Sequence, residues 1–299
     1  MPPHELEVLA LISPHLLLQN LINGVLLGLL YSLVALGLSL IFGVMGIINF
    51  AHGDFVMLAM YLTYVLAIAL GVEGVTTIVI TMPLFFLVGV VVYKLLIERV
   101  LGASPLIQIA VTVGLLMFLR NIALAIWHAE PRGLPYSILQ QTIIIGGYVI
   151  PLSRLIAAAV SLVALFLVHI LLTRTRFGIA VRATADDREA AGLMGINVKR
   201  VYATTFGLGL SLVALAGALI MTFSRADPYI GILYGLLSWC IVAMGGLGGV
   251  TGVLFSGLII GVIEAIGISM VKAGARELFI YLTFLLILWL RPRGIFARK

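Results

Sequence analysis

The sequence predicts an all-α polytopic membrane protein, with about eight or nine transmembrane helices and two glycine-broken segments. Three observations predict it. Of 299 residues, 63% are hydrophobic and only 10% charged, whereas an ordinary soluble domain is about 25% charged. The mean hydropathy is +1.24, so the chain has too few polar side chains to cover itself in water. That excludes a soluble enzyme, a nucleic-acid binder and a disordered tail. Finally, two runs carry no Lys, Arg, Asp or Glu: 46 residues from Val8 to Gly53 and 36 from Pro228 to Ile263. Each exceeds one ~30 Å hydrocarbon crossing at about 1.5 Å per helical residue, so something must interrupt the helix within each.

The spans fall at 16–42, 50–71, 75–96, 106–127, 152–173, 201–223, 232–248, 253–271 and 278–290, within a single transmembrane domain over 1–299. The leader MPPHELEVLALISPH has two acidic residues and no Lys or Arg; without a basic n-region, the first apolar stretch is expected to stay as a mature helix. On the first span, Gln19, Asn20 and Asn23 sit at helical spacing and face protein. Gly24-x-x-x-Gly28, like Gly257-x-x-x-Gly261 on the eighth, is a small-residue spacing that lets helices approach. The first interruption is Gly43-Val-Met-Gly46-Ile-Ile-Asn49-Phe-Ala-His52-Gly53, in which Asn49 and His52 can hydrogen-bond freed backbone groups. The second is Gly245-Gly246-Leu-Gly248-Gly249-Val-Thr-Gly252. A break at membrane depth is tolerated only inside protein or beside water, and matched breaks in two halves point to a transport pathway.

Charges inside spans are expensive and functional by default. Asp54 either lines a pathway or caps the second span. Arg120, beside Asn121 on the fourth, faces either an anionic solute or an acidic neighbour. Glu264 on the eighth span faces the pathway or pairs with Lys272. The single cysteine, Cys240, lies in an apolar run and reads as a buried structural thiol.

With the N-terminus outside, inner loops hold twelve Lys and Arg and outer loops five. The positive-inside rule therefore places the N-terminus outside and the C-terminus in the cytoplasm. The net charge of +6 reports topology rather than nucleic-acid binding. The one long polar loop, 174–200, reads as an ordered cytoplasmic helix. Thr184 is the expected N-cap with Asp187 three residues on, Asp186 and Asp187 occupy the first turn, and Gly195 is the C′ residue. That ~10-residue helix, about 15 Å long, presents Ala190, Leu193 and Met194 beside Glu189, an apolar edge suited to a partner's groove.

No lysine follows a glycine, so no P-loop is present. His4, His15, His52, His128 and His169 show no metal-ligand spacing, and no nucleophile–base constellation stands out. The chain is expected to bind no cofactor and catalyse no reaction.

At these residues the chain resembles the LivH-type permease subunits of branched-chain amino acid ABC importers. The stretch Gly37-Leu-Ser-Leu-Ile-Phe-Gly43 through Asn49-Phe-Ala-His52-Gly53-Asp54-Phe55 resembles the family signature at the first break. Ile97-Glu98-Arg99, Arg182-Ala-Thr-Ala-Asp-Asp187 and Leu193-Met-Gly195-Ile196-Asn197 resemble its cytoplasmic segments. Pro228-Tyr-Ile-Gly231, Gly245-Gly246-Leu-Gly248, Gly261-Val-Ile-Glu264 and Arg291-Pro292-x-Gly294 resemble its second half. The resemblance implies half of a translocation pathway in the bacterial inner membrane. The other half would be a homologous LivM-type permease, with two ATP-binding subunits on the cytoplasmic side and a periplasmic substrate-binding protein. ATP would be used by those partners, and 184–195 would be the coupling helix. Leu237-Ser238-Trp239 stands where the family usually has Lys-Ala-Phe, Arg120-Asn121 where Gln-Asn is common, and the loop from His128 to Pro151 is short. These departures leave open urea, short amides or small carboxylates as solutes. A stand-alone channel or ion-coupled carrier is the alternative of another class.

Overall fold

The computed structural model describes residues 14–135, 138–246, 249–270, 276–291 and 294–295. Helix α1 (Pro14–Met45) leads to α2 (His52–Leu70). α3 (Gly74–Val100) opens on a 3-10 turn, carries Pro83, and passes through a π turn at Tyr93–Ile97. α4 (Pro105–Trp127) starts with proline in its first turn, where no amide hydrogen is missed. Then come α5 (Leu152–Arg174), α6 (Arg176–Asp186), α7 (Arg188–Leu193), α8 (Val198–Met221), α9 (Ile230–Gly245), α10 (Val250–Met270) and α11 (Arg276–Leu290). Among the described residues, α1–α5 and α8–α11 match the nine expected spans to within a few residues. Seven are long and apolar enough to cross a bilayer; α9 and α11 are shorter.

Burial ranks the helices. The most apolar window of α8 is 89% buried and that of α1 72%, whereas those of α3 and α4 are 22% each. α1 and α8 therefore form the centre, and α3 and α4 turn most of their apolar surface outward. The two small-residue spacings prove to be the two sides of one seam. A Cβ added at Gly24 would come 2.7 Å from the Gly261 carbonyl, and one at Gly28 2.7 Å from that of Gly257. α1 and α10 thus touch backbone to backbone, the close approach that drives helix association where lipid removes the hydrophobic incentive.

Two local features go beyond the sequence reading. In the loop between α4 and α5, β1 (Thr142–Ile145) pairs antiparallel with β2 (Tyr148–Pro151). Gly146 and Gly147, at φ 59° and 85°, supply the left-handed pair that a two-residue hairpin turn needs. His15 stacks on Tyr148 at 4.5 Å, and Gln19 hydrogen-bonds both the amide and the carbonyl of Val149. Gln19 thus meets protein, as its spacing suggests.

The second is a correction: 174–200 folds as two helices before α8 rather than one. Thr175 caps α6 by accepting a hydrogen bond from the Gly178 amide at 3.1 Å. Thr184, the expected N-cap, is instead buried inside α6 with Gly178 and Val181. Asp187 is extended (φ −153°, ψ 107°), and its Oδ1 accepts from the amides of Glu189 and Ala190. The physical reason is that Thr175 and Asp187 both carry a capping oxygen, while burial of Thr184 keeps its turn helical. Gly195, at φ 85°, ends the segment where expected.

Candidate translocation site

The first break lies at depth rather than at a helix end. The His52 ring Nε2 is 2.9 Å from the carbonyl of Val34, which stands near the middle of α1. The carbonyl can only accept, so Nε2 carries the proton and His52 is a structural tie. α1 runs about 15 Å past this level before the chain doubles back through 46–51 and starts α2 inside the bundle. Gly46, at φ 66°, makes the reversal.

The backbone groups freed by the break are met by side chains. Asn49 Oδ1 accepts from the Ala51 amide at 3.1 Å, and Thr112 of α4 donates to the Ile48 carbonyl at 2.9 Å. Asn49, His52 and Asp54 are all buried, at 0, 0 and 1% exposure. Gly53 packs onto α9, where any Cβ would overlap the Gly231 carbonyl. Two helix N-termini, those of α2 and α9, therefore abut within the bundle.

Asp54 lies in the first turn of α2, where the positive end of the helix dipole favours an anion. Arg120 of α4 closes on it with a planar fork: Nε to Oδ1 and Nη2 to Oδ2, each 3.1 Å. Arg120 lies about 22 Å from one end of α4 and about 10 Å from the other, so the pair sits within the span. The arrangement decides the sequence ambiguity: Arg120 answers an acidic neighbour, and Asp54 is an ion-pair partner as well as a first-turn residue. Asn121, on the next face of α4, is exposed and donates to the Met117 carbonyl, so it does not join the group.

An aromatic cluster missed in the sequence covers the break. Trp239 of α9 lies 5.8 Å from Phe42 in edge contact and 5.9 Å from Phe50; Phe50 is 38% exposed. The available signal was that Phe42 and Phe50 flank the glycine break. Trp239 also lies about 9 Å along α9 from the second break. There α9 ends at Gly245, whose Cβ position is taken by the backbone of Gly252, and Gly246 adopts φ 79° and ψ 148°. The Ile295 amide donates to the Met244 carbonyl at 2.8 Å, so residues 294–295 pack against this break. Gly248 lies outside the described residues.

Glu264 belongs to a different seam. It is 2% exposed and accepts from the Tyr31 hydroxyl at 3.2 Å across the α1–α10 contact; Lys272, its expected partner, lies outside the described residues. Above the break, Tyr61 stacks on Trp127 at 4.3 Å, and Arg132 and Ala226 exchange backbone hydrogen bonds of 2.8 Å. On the opposite face Lys199 meets Glu98 at 2.8 Å. Nearby in sequence, Leu193 and Met194 are 90% and 83% exposed, with Glu189 and Ala190 also exposed on the same short helix.

The profile of a family described as "Branched-chain amino acid transport system / permease component" matches residues 20–288. The Pseudomonas aeruginosa high-affinity branched-chain amino acid transport system permease protein BraD is 30% identical over 94% of this chain and 96% of its own. The corresponding LivH proteins of Salmonella typhimurium and Escherichia coli are 32% and 30% identical over the same shares. The chain belongs to the family of branched-chain amino acid transport permease components.

Proposed function

We propose that this chain is the integral-membrane permease subunit of an ABC importer, forming half of a translocation pathway for branched-chain amino acids. The other half is a homologous LivM-type permease. Two ATP-binding subunits supply hydrolysis, and a periplasmic binding protein delivers the solute. This chain holds no cofactor and catalyses no reaction itself. The observation that carries the reading is a pair of glycine breaks, one with its helix N-terminus inside the bundle, in a chain whose family match runs nearly end to end.

The positive-inside count supports a bacterial inner-membrane orientation with the N-terminus outside and 174–200 in the cytoplasm. On that face α7 presents Leu193 and Met194 in the manner of a helix seeking a groove, and Asp187 fixes its start. We assign the turn from Asp187 to Gly195 as the contact with an ATP-binding subunit. Thr184 serves it from inside α6. Asn49, His52, Gly53, Asp54 and Arg120 hold the broken-helix start in place. Gly245 and Gly246 form its counterpart.

Uptake measured in vesicles holding the chain with its four partner subunits tests the reading. Solute accumulation that requires ATP and the ATP-binding subunits is the expected result. Uptake that persists after those subunits are removed refutes it in favour of a stand-alone carrier.

A further inference from the structure

A cavity of about 320 Å3 lies between α5, α6 and α8, with Leu40 of α1 and Met82 of α3 also on its wall. Its walls include Val160, Leu167 and Leu172 of α5, Phe177 of α6, and Leu208 and Leu215 of α8. From Val160 to Leu172 the groove follows α5 for about 18 Å. A volume of about 320 Å3 spread over that length leaves a slot far narrower than the ~10 Å of an α-helix. A single extended hydrocarbon chain fits such a slot.

The mouth is chemically different from the walls. Arg182 donates from its guanidinium to the carbonyl of Leu172, itself a wall residue. Arg174 and Arg176, both exposed, flank the α5–α6 corner. The Arg182 guanidinium at one end and an apolar slot beyond it fit two parts of one molecule, a phosphate and an acyl tail. Basic pockets between transmembrane helices on the cytoplasmic side recognise anionic head groups on this principle.

We infer that the groove between α5, α6 and α8 binds one anionic phospholipid, its acyl chain in the slot and its phosphate on Arg176 and Arg182. Such a lipid braces α6 against the bundle, immediately before the Asp187 cap that starts the docking turn.

Native mass spectrometry of the full chain, extracted with equal phosphatidylglycerol and phosphatidylcholine, tests this. The wild-type chain is expected to retain one phosphatidylglycerol in preference. The variant Arg176→Gln/Arg182→Gln lowers that retention on the order of tenfold and leaves phosphatidylcholine unchanged. Ala164→Phe fills the slot and removes both. Should that variant fail to fold, Leu167→Trp at the rim, where the side chain is 58% exposed, occludes the slot without new strain in the core. Equal retention of the two lipids by wild type, or no change in the arginine variant, overturns the inference. So does protection of Val163→Cys from a lipid-soluble maleimide in the assembled transporter, which would show a partner subunit covering the groove.

Discussion

Breaking the Asp54–Arg120 pair one side at a time is the perturbation that separates an ion pair holding the broken helix from two independent polar residues. Both N–O contacts are 3.1 Å, and the side chains are 1% and 18% exposed. Two opposite charges about 4 Å apart interact by about 4 kcal/mol at an effective dielectric near 20. Removing one partner of a buried pair leaves the other desolvated and costs about 3–5 kcal/mol. Arg120→Gln and Asp54→Asn are therefore each expected to destabilise the folded chain by about 3 kcal/mol. The double variant leaves no orphan charge, so it should cost little more than one single variant rather than the sum of the two. The assay is denaturation of the purified chain in mixed micelles with increasing sodium dodecyl sulfate, read by helical circular dichroism. A double-mutant cycle across the four proteins should give a coupling of about 2–3 kcal/mol. In parallel, solute uptake should fall in both single variants, because Asp54 anchors the first turn of α2 to α4. Strictly additive effects in the double variant would refute the reasoning, since they would mean that each side chain acts through neighbours other than its partner.

Other perturbations follow from the same geometry. Gly53→Ala should prevent α2 from seating on α9, because its methyl group would overlap the Gly231 carbonyl; loss of monodisperse protein on size exclusion checks it. Gly246→Ala should cost about 1–3 kcal/mol, as φ 79° and ψ 148° lie in a region open almost only to glycine, and the same denaturation series measures it. Leu193→Asp with Met194→Asp should abolish ATP-dependent uptake and leave the melting of the isolated permease unchanged, because both side chains are almost fully exposed. Trp239→Ala should lose two aromatic contacts of about 0.5–1.5 kcal/mol each, and Trp239→Phe should retain most of the stability; thermal unfolding of the two variants separates these outcomes.

Whatever a local pattern determines was legible in the chain; whatever two distant segments decide together was not. The spans follow from uninterrupted apolar length, and both breaks follow from glycine clusters inside runs too long for one crossing. The charges Asp54 and Arg120 were each visible as costly. Their pairing was not, because 66 residues separate them and nothing in either neighbourhood names the other. The same holds for Glu264, which accepts from Tyr31 at a separation of 233 residues. The capping motif failed differently. Thr184 and Asp187 fit the expected spacing, yet a hydroxyl buried against the bundle cannot also sit at an exposed helix start. Only the packing of α6 decides which of the two local solutions survives.

That failure bears on how the turn from Asp187 to Gly195 would act in the proposed docking role. A single helix from 184 to 195 would transmit a push on Leu193 and Met194 straight along its axis. The structure instead places an extended residue, Asp187, between α6 and α7, so the exposed tip and the buried corner are joined at a bend. α6 lies against the bundle through Gly178, Val181 and Thr184, while α7 buries Ala191 alone. On the proposed reading, a force on the tip passes to the bundle through the backbone at Asp187 on one side and at Asn197 on the other. The two amide hydrogen bonds accepted by Asp187 are what keep that bend from yielding. Asp187→Ala should then reduce transport more than it reduces stability: a lost cap costs about 1 kcal/mol, whereas a slack joint uncouples the tip. Parallel measurements of ATP hydrolysis and uptake decide this. Hydrolysis that continues while uptake falls is the expected outcome, and equal loss of both would show that Asp187 merely holds the docking surface in shape.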